Sequence, residues 1–236
     1  MLTGSPLRLL GALLAAPLLA GGGCADRDDG AGPAPGGLLA LEVGGGRVEY
    51  LMAGIDPDSP ANYGVLLLHG AAFSAATWQE LGTISLLADA GFGVAAVNLP
   101  GKEGSAPTGL APEVFLEDLI LALGWEEVTV VSPSASGRYA LPLAAKRPGR
   151  VRGLVAVAPV GIPQWLDALR DSPVPVLTVW SQDDRVVPSS HGDDLALAVR
   201  KARQLTFAGD VHPVYLEHTE EFHHELLDFL AEIEAR

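Results

Sequence analysis

The chain of 236 residues contains one cysteine, Cys24, and only 15 Lys and Arg residues against 29 Asp and Glu. A single cysteine excludes a disulfide bond within the chain. The formal net charge of −14 argues against a nucleic-acid partner, because binding to phosphate backbones depends on clustered Lys and Arg. The sequence has no HExxH or comparable metal-ligand spacing, and the adjacent His223 and His224 would point to different faces of a helix. We therefore predict neither a metal nor an organic cofactor.

The N-terminal apolar run, Leu9–Ala20, is too short to cross a bilayer comfortably as a helix. It follows a short basic start and ends in small residues before Cys24, which is typical of an export signal whose cysteine becomes lipid-modified in bacterial lipoproteins. We predict a lipoprotein-type signal peptide over residues 1–24 and a protein exported to the bacterial cell envelope and lipid-anchored at Cys24. A cleaved signal that releases a soluble secreted or periplasmic protein, and an uncleaved N-terminal anchor, are the alternatives.

The segment that follows, residues 25–37, consists mainly of Gly, Pro, Ala and Asp. It has almost nothing to bury, and we predict a flexible tether. The remaining residues, 38–236, are enough for one α/β domain with a single core.

Short apolar runs alternate with helix-like stretches from Leu38 onward, which predicts a mostly parallel central sheet flanked by helices. An opening hairpin is expected over residues 38–52. Further strands are predicted at Val65–Leu68, Val94–Leu99, Val128–Val131, Leu154–Ala158, Val176–Trp180 and Gln204–Phe207, and helices at Thr77–Ala90, Pro112–Leu123, Gly137–Lys146 and Thr219–Ala235. Only about 15 residues separate Pro159 from Pro175. This connection leaves no room for a long lid, so we expect a minimal lid or none, and a shallow, open site.

One motif carries most of the functional information: the six residues SPSASG, 132–137, directly after a predicted buried strand. A strand that breaks into small-x-Ser-x-small before a helix is typical of a nucleophile elbow, in which a strained turn exposes a serine hydroxyl. The frame selects Ser134, because centring it on either neighbouring serine would put Val130 or Arg138 where a small residue is needed. A serine-rich turn that merely caps the helix is the alternative.

An activated serine needs a base, and the base needs a group that orients it. Asp183 and Asp184 follow the strand Val176–Trp180, and His212 follows the strand Gln204–Phe207. The carboxyl ends of parallel strands share one edge of a sheet, where the sites of open α/β sheets lie. We predict His212 as the base and Asp184 as its partner, with Asp183 as the alternative acid.

The negatively charged oxygen that forms during acyl transfer needs two backbone N–H donors. The amide of Ala135, directly after Ser134, is predicted to be one donor. The other is expected from the loop after His69-Gly70, with Ala71 preferred and Ala72 as the alternative. His69 is expected to hold that loop in place rather than to act as a second base.

The chain resembles the α/β-hydrolase superfamily, and within it the α/β-hydrolase-domain-containing protein 14 subfamily, over Leu38–Ala235. The strings that carry the resemblance are VLLLHGAAFSAATWQELGTISLLADAGF, VNLPGKEGS, VVSPSASGRYALPL and HPVYLEHTEEFHHELLDFL. It implies an α/β-hydrolase fold and a serine hydrolase acting on small acyl groups such as acetyl esters. By motif position, it implies Ser134 as nucleophile, Asp184 as acid and His212 as base. One animal branch is linked to removing acetyl groups from lysine with coenzyme A as acceptor, and an exported protein would meet little coenzyme A.

From these patterns we predict a serine hydrolase that cleaves short-chain, acetyl-type acyl esters through an acyl-enzyme. The partner is then a small acyl-ester substrate, and the membrane is contacted only through the N-terminal anchor. Two other functions stay open. One is an acyltransferase or deacetylase that uses the same triad with a thiol or amine acceptor, and the other is a non-catalytic binding module on the hydrolase scaffold.

Overall fold

The computed structural model describes residues 37–55, 62–170 and 172–235. The predicted signal peptide and Cys24 lie outside these residues, as does the predicted tether except for its last residue, Gly37. Across the described ranges, no helix combines the length and apolar character that a membrane crossing requires.

The core of the described part is an eight-stranded sheet in the order β1-β2-β4-β3-β5-β6-β7-β8. The strands are β1 (Leu39–Val43), β2 (Gly46–Ala53), β3 (Tyr63–Leu67), β4 (Val94–Val97), β5 (Glu127–Pro133), β6 (Val151–Val157), β7 (Val176–Ser181) and β8 (Ala202–Phe207). The pairs β1–β2 and β2–β4 are antiparallel, and all other pairs are parallel. The predicted opening hairpin and mostly parallel sheet are confirmed.

Helices cover both faces of the sheet, because its central strands are continuous apolar runs that must be buried on both sides. The helices are α1 (Ala75–Glu80), α2 (Thr83–Asp89), α3 (Pro112–Ala122), α4 (Gly137–Lys146), α5 (Ile162–Leu169), α6 (Ser190–Ala198), α7 (Val214–Glu217) and α8 (Thr219–Glu234). Apolar residues of α3 to α6 join the core on one face, and those of α1, α2, α7 and α8 join the core on the other.

The helix predicted over Thr77–Ala90 is in fact two helices, α1 and α2. They are separated at Gly82, whose φ of 74° lies in the left-handed region that glycine adopts without steric cost. In the described residues of the connection between Pro159 and Pro175, the secondary structure is the eight-residue helix α5. No lid is evident in the described part of the chain, as the short connection predicts.

The order of the strands marks one point of the sheet as the place for a site. From β3 the chain passes to β4 on one side and then returns to β5 on the other side of β3. The loops that follow β3 and β5 therefore diverge and leave a crevice at the carboxyl ends of these strands, which is where open α/β sheets bind ligands. The loop that begins with His69-Gly70 and the SPSASG motif both lie at this crevice.

Candidate active site

The turn after β5 holds Ser134 in an uncommon backbone conformation. Pro133 is still extended, and Ser134 then takes a φ of 48°, in the left-handed region, at the start of a 3₁₀ turn that leads into α4. A residue other than glycine with such a φ is strained, and it persists only where its surroundings enforce it. The sharp turn leaves the side chain of Ser134 half-buried at the sheet edge, so its hydroxyl is accessible at the crevice.

The two serines that flank Ser134 lie underneath the turn. Ser132 and Ser136 are both fully buried. Their hydroxyl oxygens lie 3.1 Å apart, and the Ser136 hydroxyl donates to the carbonyl oxygen of Pro133 at 2.8 Å. Both hydroxyls are therefore satisfied within the turn, and neither points to the crevice.

The loop after β6 packs tightly against the elbow and holds the carbonyl group of Ser134. A Cβ on Gly137 would lie 2.4 Å from the carbonyl oxygen of Val160 and 2.7 Å from Cβ of Pro159, so only glycine fits at the start of α4. The amide of Val160 in turn donates to the carbonyl oxygen of Ser134 at 2.9 Å. The strained residue is thus held from outside the motif as well as from within.

His212 lies between Ser134 and Asp184. Its Nε2 is 2.8 Å from the Oγ of Ser134, and its Nδ1 is 2.7 Å from Oδ2 of Asp184. A carboxylate only accepts hydrogen bonds, so Nδ1 carries the imidazole proton and Nε2 is left to accept from the serine hydroxyl. The structure therefore brings together the three side chains that the sequence selected, in one hydrogen-bonded line.

Of the two neighbouring acids, Asp184 is the one that contacts His212. Its carboxylate is fully buried, and Oδ1 accepts from the amides of Val186 and Val187 at 2.8 and 3.0 Å. These bonds orient the carboxylate and leave Oδ2 for the imidazole. Asp183 is exposed, and its amide donates to the carbonyl oxygen of Gly209. That bond joins the loop after β7 to the loop that carries His212.

The loop after β3 closes the other side of the crevice, and a buried histidine holds it. Nε2 of His69 accepts from the amide of Leu99 at 3.0 Å, so Nδ1 carries the proton and donates to the carbonyl oxygen of Gly70 at 2.8 Å. Burial lowers the pKa of the His69 imidazole, which favours this neutral form. The geometry gives His69 the loop-holding position that the sequence suggested.

A cleft of about 230 Å³ opens between these loops. Its lining is mostly apolar and comprises Gly70, Ala71, Ala72, Phe73, Pro133, Ser134, Val157, Val186, His212, Pro213 and Tyr215. Ala71 and Ala72 both line it, while the Ala71 carbonyl oxygen accepts from Lys102 Nζ at 2.6 Å. Ala135 directly follows Ser134 in the 3₁₀ turn. The backbone of Ala71 and Ala72 and the backbone of Ala135 are therefore both close to where the carbonyl group of a bound substrate would lie.

Comparisons with known proteins show which family the chain belongs to. The model of the family described as alpha/beta hydrolase fold matches residues 63–174. A protein of Rattus norvegicus named protein-lysine deacylase ABHD14B is 41% identical over 180 residues, which are 72% of this chain and 84% of the relative. The chain belongs to the α/β-hydrolase family.

Within that family the chain resembles the ABHD14 subfamily, as its motifs predict. The ABHD14B of Homo sapiens is 37% identical to this α/β hydrolase over 194 residues, which are 78% of this chain and 91% of the human protein. A crystal structure titled as a predicted CIB-like hydrolase, from Thermoplasma acidophilum, superposes with a TM-score of 0.76 at 26% identity. It covers 82% of this chain and 97% of its own.

His218, which directly precedes α8, and His223 of α8 do not line the cleft of this α/β hydrolase. Nε2 of His223 lies 2.8 Å from Oγ1 of Thr83, and burial lowers the pKa of that imidazole. His218 stacks on Phe207 with 4.6 Å between the ring centres. Among the described residues, no group of three or more His, Cys, Asp and Glu side chains is arranged to hold a metal ion.

Sequence reasoning missed the residues of this α/β hydrolase that shape the cleft without reacting. Phe73, Val157, Val186 and Tyr215 all line it. Tyr215 lies three residues after His212 and belongs to the same apolar core as Trp78 and Phe222. An aromatic residue in such a position is typical of a core, so only its closeness to His212 in the sequence could have suggested it.

Proposed function

We propose that the chain is a serine hydrolase that cleaves short-chain acyl esters through an acyl-enzyme on Ser134. The observation that carries the proposal is the position of His212, with Nε2 at 2.8 Å from the Ser134 hydroxyl and Nδ1 at 2.7 Å from the Asp184 carboxylate. A nucleophile, a base and an orienting acid within hydrogen-bond distance are what acyl transfer to serine requires.

The geometry supports a two-step reaction. His212 takes the hydroxyl proton of Ser134 as the Ser134 oxygen attacks the carbonyl carbon of the ester. Asp184 stabilises the imidazolium that forms on His212. The amides of Ala71 and Ala135 hold the oxygen that becomes negative. Collapse of this intermediate breaks the bond to the alcohol, which leaves with the proton from His212. A water molecule, deprotonated by His212, then attacks the acyl-enzyme and releases the acid.

The size and lining of the cleft support short acyl groups as the substrate class. Its volume of about 230 Å³ is below the roughly 300–1,000 Å³ of pockets that enclose drug-sized ligands. Apart from Ser134, His212 and Tyr215, the residues that line it are Gly, Ala, Val, Phe and Pro. Such a cleft favours a small acyl chain next to the reacting carbonyl.

The proposal is tested by labelling the purified protein with a fluorophosphonate probe while the turnover of 4-nitrophenyl acetate is followed. We expect both signals in the unaltered protein and in Ser136→Ala, and neither in Ser134→Ala. Ser136 is the matched control because it is the next serine of the same turn and its hydroxyl is buried away from the cleft. A folded, unlabelled wild-type protein would overturn the hydrolase and favour a binding module.

A second candidate is removal of acyl groups from lysine, or transfer of the acyl group to a thiol. Two relatives that are 41% and 37% identical to this chain are named protein-lysine deacylase, and the same three side chains would form the same acyl-enzyme from an amide. Incubation with an acetyl-lysine peptide, with and without a small thiol, separates the candidates. Peptide deacetylation faster than hydrolysis of a matched ester, or acetyl recovered on the thiol rather than as acetate, would favour this second function.

We also propose that the protein is exported and lipid-anchored at Cys24, on the strength of the N-terminal sequence pattern. Expression in bacteria fed a labelled fatty acid tests this. Label should be incorporated into the unaltered protein and not into Cys24→Ser. Equal labelling of both would exclude this cysteine as the modified residue.

A further inference from the structure

Tyr215 is a buried residue of the cleft that the proposed reaction does not use. It is only 2% exposed, and it is one of the residues that line the cleft beside Ser134 and His212. Its ring stacks on Trp78 with 4.9 Å between the ring centres, and it forms an edge-to-face pair with Phe73, with 6.5 Å between the ring centres. Packing on both sides therefore fixes the ring, and with it the position of the hydroxyl.

The hydroxyl of Tyr215 forms no hydrogen bond with any residue that the structure describes, whereas Nε1 of its neighbour Trp78 donates to the carbonyl oxygen of Leu68 at 2.8 Å. A mostly buried polar group without a described protein partner needs an explanation. In the described ranges, the side-chain atoms that are sealed from solvent and unpartnered are Oγ1 of Thr178 and Nδ1 of His191. The Tyr215 oxygen is not one of these atoms, so a small group can reach it.

The cleft is the place from which that oxygen is reached, because Tyr215 is almost fully buried and lines the cleft. Three polar side chains line the cleft in the described structure, and two of them, Ser134 and His212, are hydrogen-bonded to each other. Burial also raises the pKa of the Tyr215 hydroxyl, which keeps it protonated and able to donate. The Tyr215 hydroxyl is therefore the side-chain donor of the described cleft that is available to a bound molecule.

We propose that Tyr215 determines specificity by donating a hydrogen bond to an oxygen atom within the acyl chain of the substrate. The preferred substrates are then short acyl esters whose chain carries an ether, keto or hydroxyl oxygen, rather than plain hydrocarbon acyl esters. This inference rests on the proposed hydrolase function, because it places the acyl chain in the cleft next to Ser134.

Two esters that differ by one atom test the proposal. 4-Nitrophenyl methoxyacetate has an ether oxygen where 4-nitrophenyl butyrate has a methylene, so the two chains have nearly the same shape. We compare the ratio of their kcat/KM values between the unaltered protein and Tyr215→Phe, and the different intrinsic reactivity of the esters then cancels. The ratio of methoxyacetate to butyrate should fall about two- to tenfold in Tyr215→Phe, which is the size of one neutral hydrogen bond.

Tyr139→Phe is the matched control, because Tyr139 contacts Phe115 on the opposite face of the sheet; it should leave the ratio unchanged. Tyr215→Phe should unfold at no lower temperature than the unaltered protein, because the hydroxyl it removes has no described partner. An unchanged ratio, an equal loss for both esters, or a clearly lower unfolding temperature would overturn the specificity role. Failure of the unaltered protein to turn over either ester would instead overturn the hydrolase proposal, and this inference with it.

Discussion

In the turn that carries Ser134, the hydroxyl oxygens of Ser132 and Ser136 lie 3.1 Å apart, beneath Ser134. Because the single proton of the Ser136 hydroxyl is donated to the Pro133 carbonyl oxygen, the Ser136 oxygen accepts from Ser132. The two flanks of the elbow are thus joined by a chain of two buried hydrogen bonds. Glycines in the same positions would fit the turn and supply neither bond.

The direction of these two hydrogen bonds predicts that removing the Ser132 hydroxyl and removing the Ser136 hydroxyl lower the free energy of unfolding by different amounts. Ser136→Ala leaves the Ser132 hydroxyl buried without an acceptor, which costs about 1–3 kcal/mol, whereas Ser132→Ala removes one bond and leaves the Ser136 donor satisfied, at about 0.5–1.5 kcal/mol. Urea unfolding of the two variants and of the double variant measures these costs. Equal losses in the two single variants would contradict the assigned direction.

The choice between the neighbouring acids gives the second prediction. In Asp184→Asn, the new side-chain amide can donate a hydrogen bond to Nδ1 of His212. The imidazole proton then lies on Nε2, which can no longer accept from the serine hydroxyl, and we expect kcat for 4-nitrophenyl acetate to fall on the order of 10⁴-fold. Asp183→Asn is the matched control: this side chain is exposed, and among the described residues only the backbone amide of Asp183 forms a hydrogen bond. Its kcat should stay within about twofold of the unaltered value, as is usual for a surface substitution. A comparable loss in both variants would remove the distinction between the acids.

Gly137 provides a test of the packing that supports the elbow. A Cβ there would lie 2.4 Å from the Val160 carbonyl oxygen, so Gly137→Ala must move the loop after β6. We expect a loss of about 1–3 kcal/mol in the free energy of unfolding, as overpacking usually causes. We also expect a lower kcat, because the Val160 amide that holds the Ser134 carbonyl moves too. Gly149→Ala, where a Cβ would meet no atom within 4 Å, is the control and should change neither.

The buried histidines predict how stability depends on pH. Burial lowers the pKa of His223 and of His69 below the ordinary 6.5, so the unfolded chain binds protons more readily than the folded one. Stability from these residues is therefore fully present well above pH 6.5 and is lost as the pH falls through that value towards the lower folded pKa.

Urea unfolding between about pH 7.5 and pH 5 measures this dependence. The carboxyl groups whose pKa values are held low by basic partners, Glu113 and Glu117, affect stability only near and below their ordinary 4.5. His223→Gln can still accept a hydrogen bond from Thr83 but cannot titrate, and it should flatten the slope. An unchanged slope in His223→Gln would exclude this histidine as a source of the pH dependence.

Much of the fold and the three aligned side chains of the site follow from local patterns. Apolar runs indicate strands, and the segments that contain Ser132, Asp184 and His212 each come at or after the end of such a run. Parallel strands bring these ends to one edge of the sheet. The break between α1 and α2 depends on whether Gly82 takes a left-handed backbone conformation. The spacing of the apolar residues in the sequence does not indicate this. The sequence also cannot decide between Ala71 and Ala72, because an N–H donor is defined by backbone direction rather than by the side chain. Tyr215 differs from a core aromatic only through a missing hydrogen bond, which only a structure can show.

The most direct test of the proposed acyl-enzyme is mass spectrometry of the protein quenched with acid shortly after mixing with 4-nitrophenyl acetate. If Ser134 is the nucleophile and His212 its base, one acetyl group should appear per chain. It should map to the peptide that contains Ser134 and be absent from Ser134→Ala. Turnover of the ester with no acetylated protein, or with the acetyl group on another residue, would contradict the account.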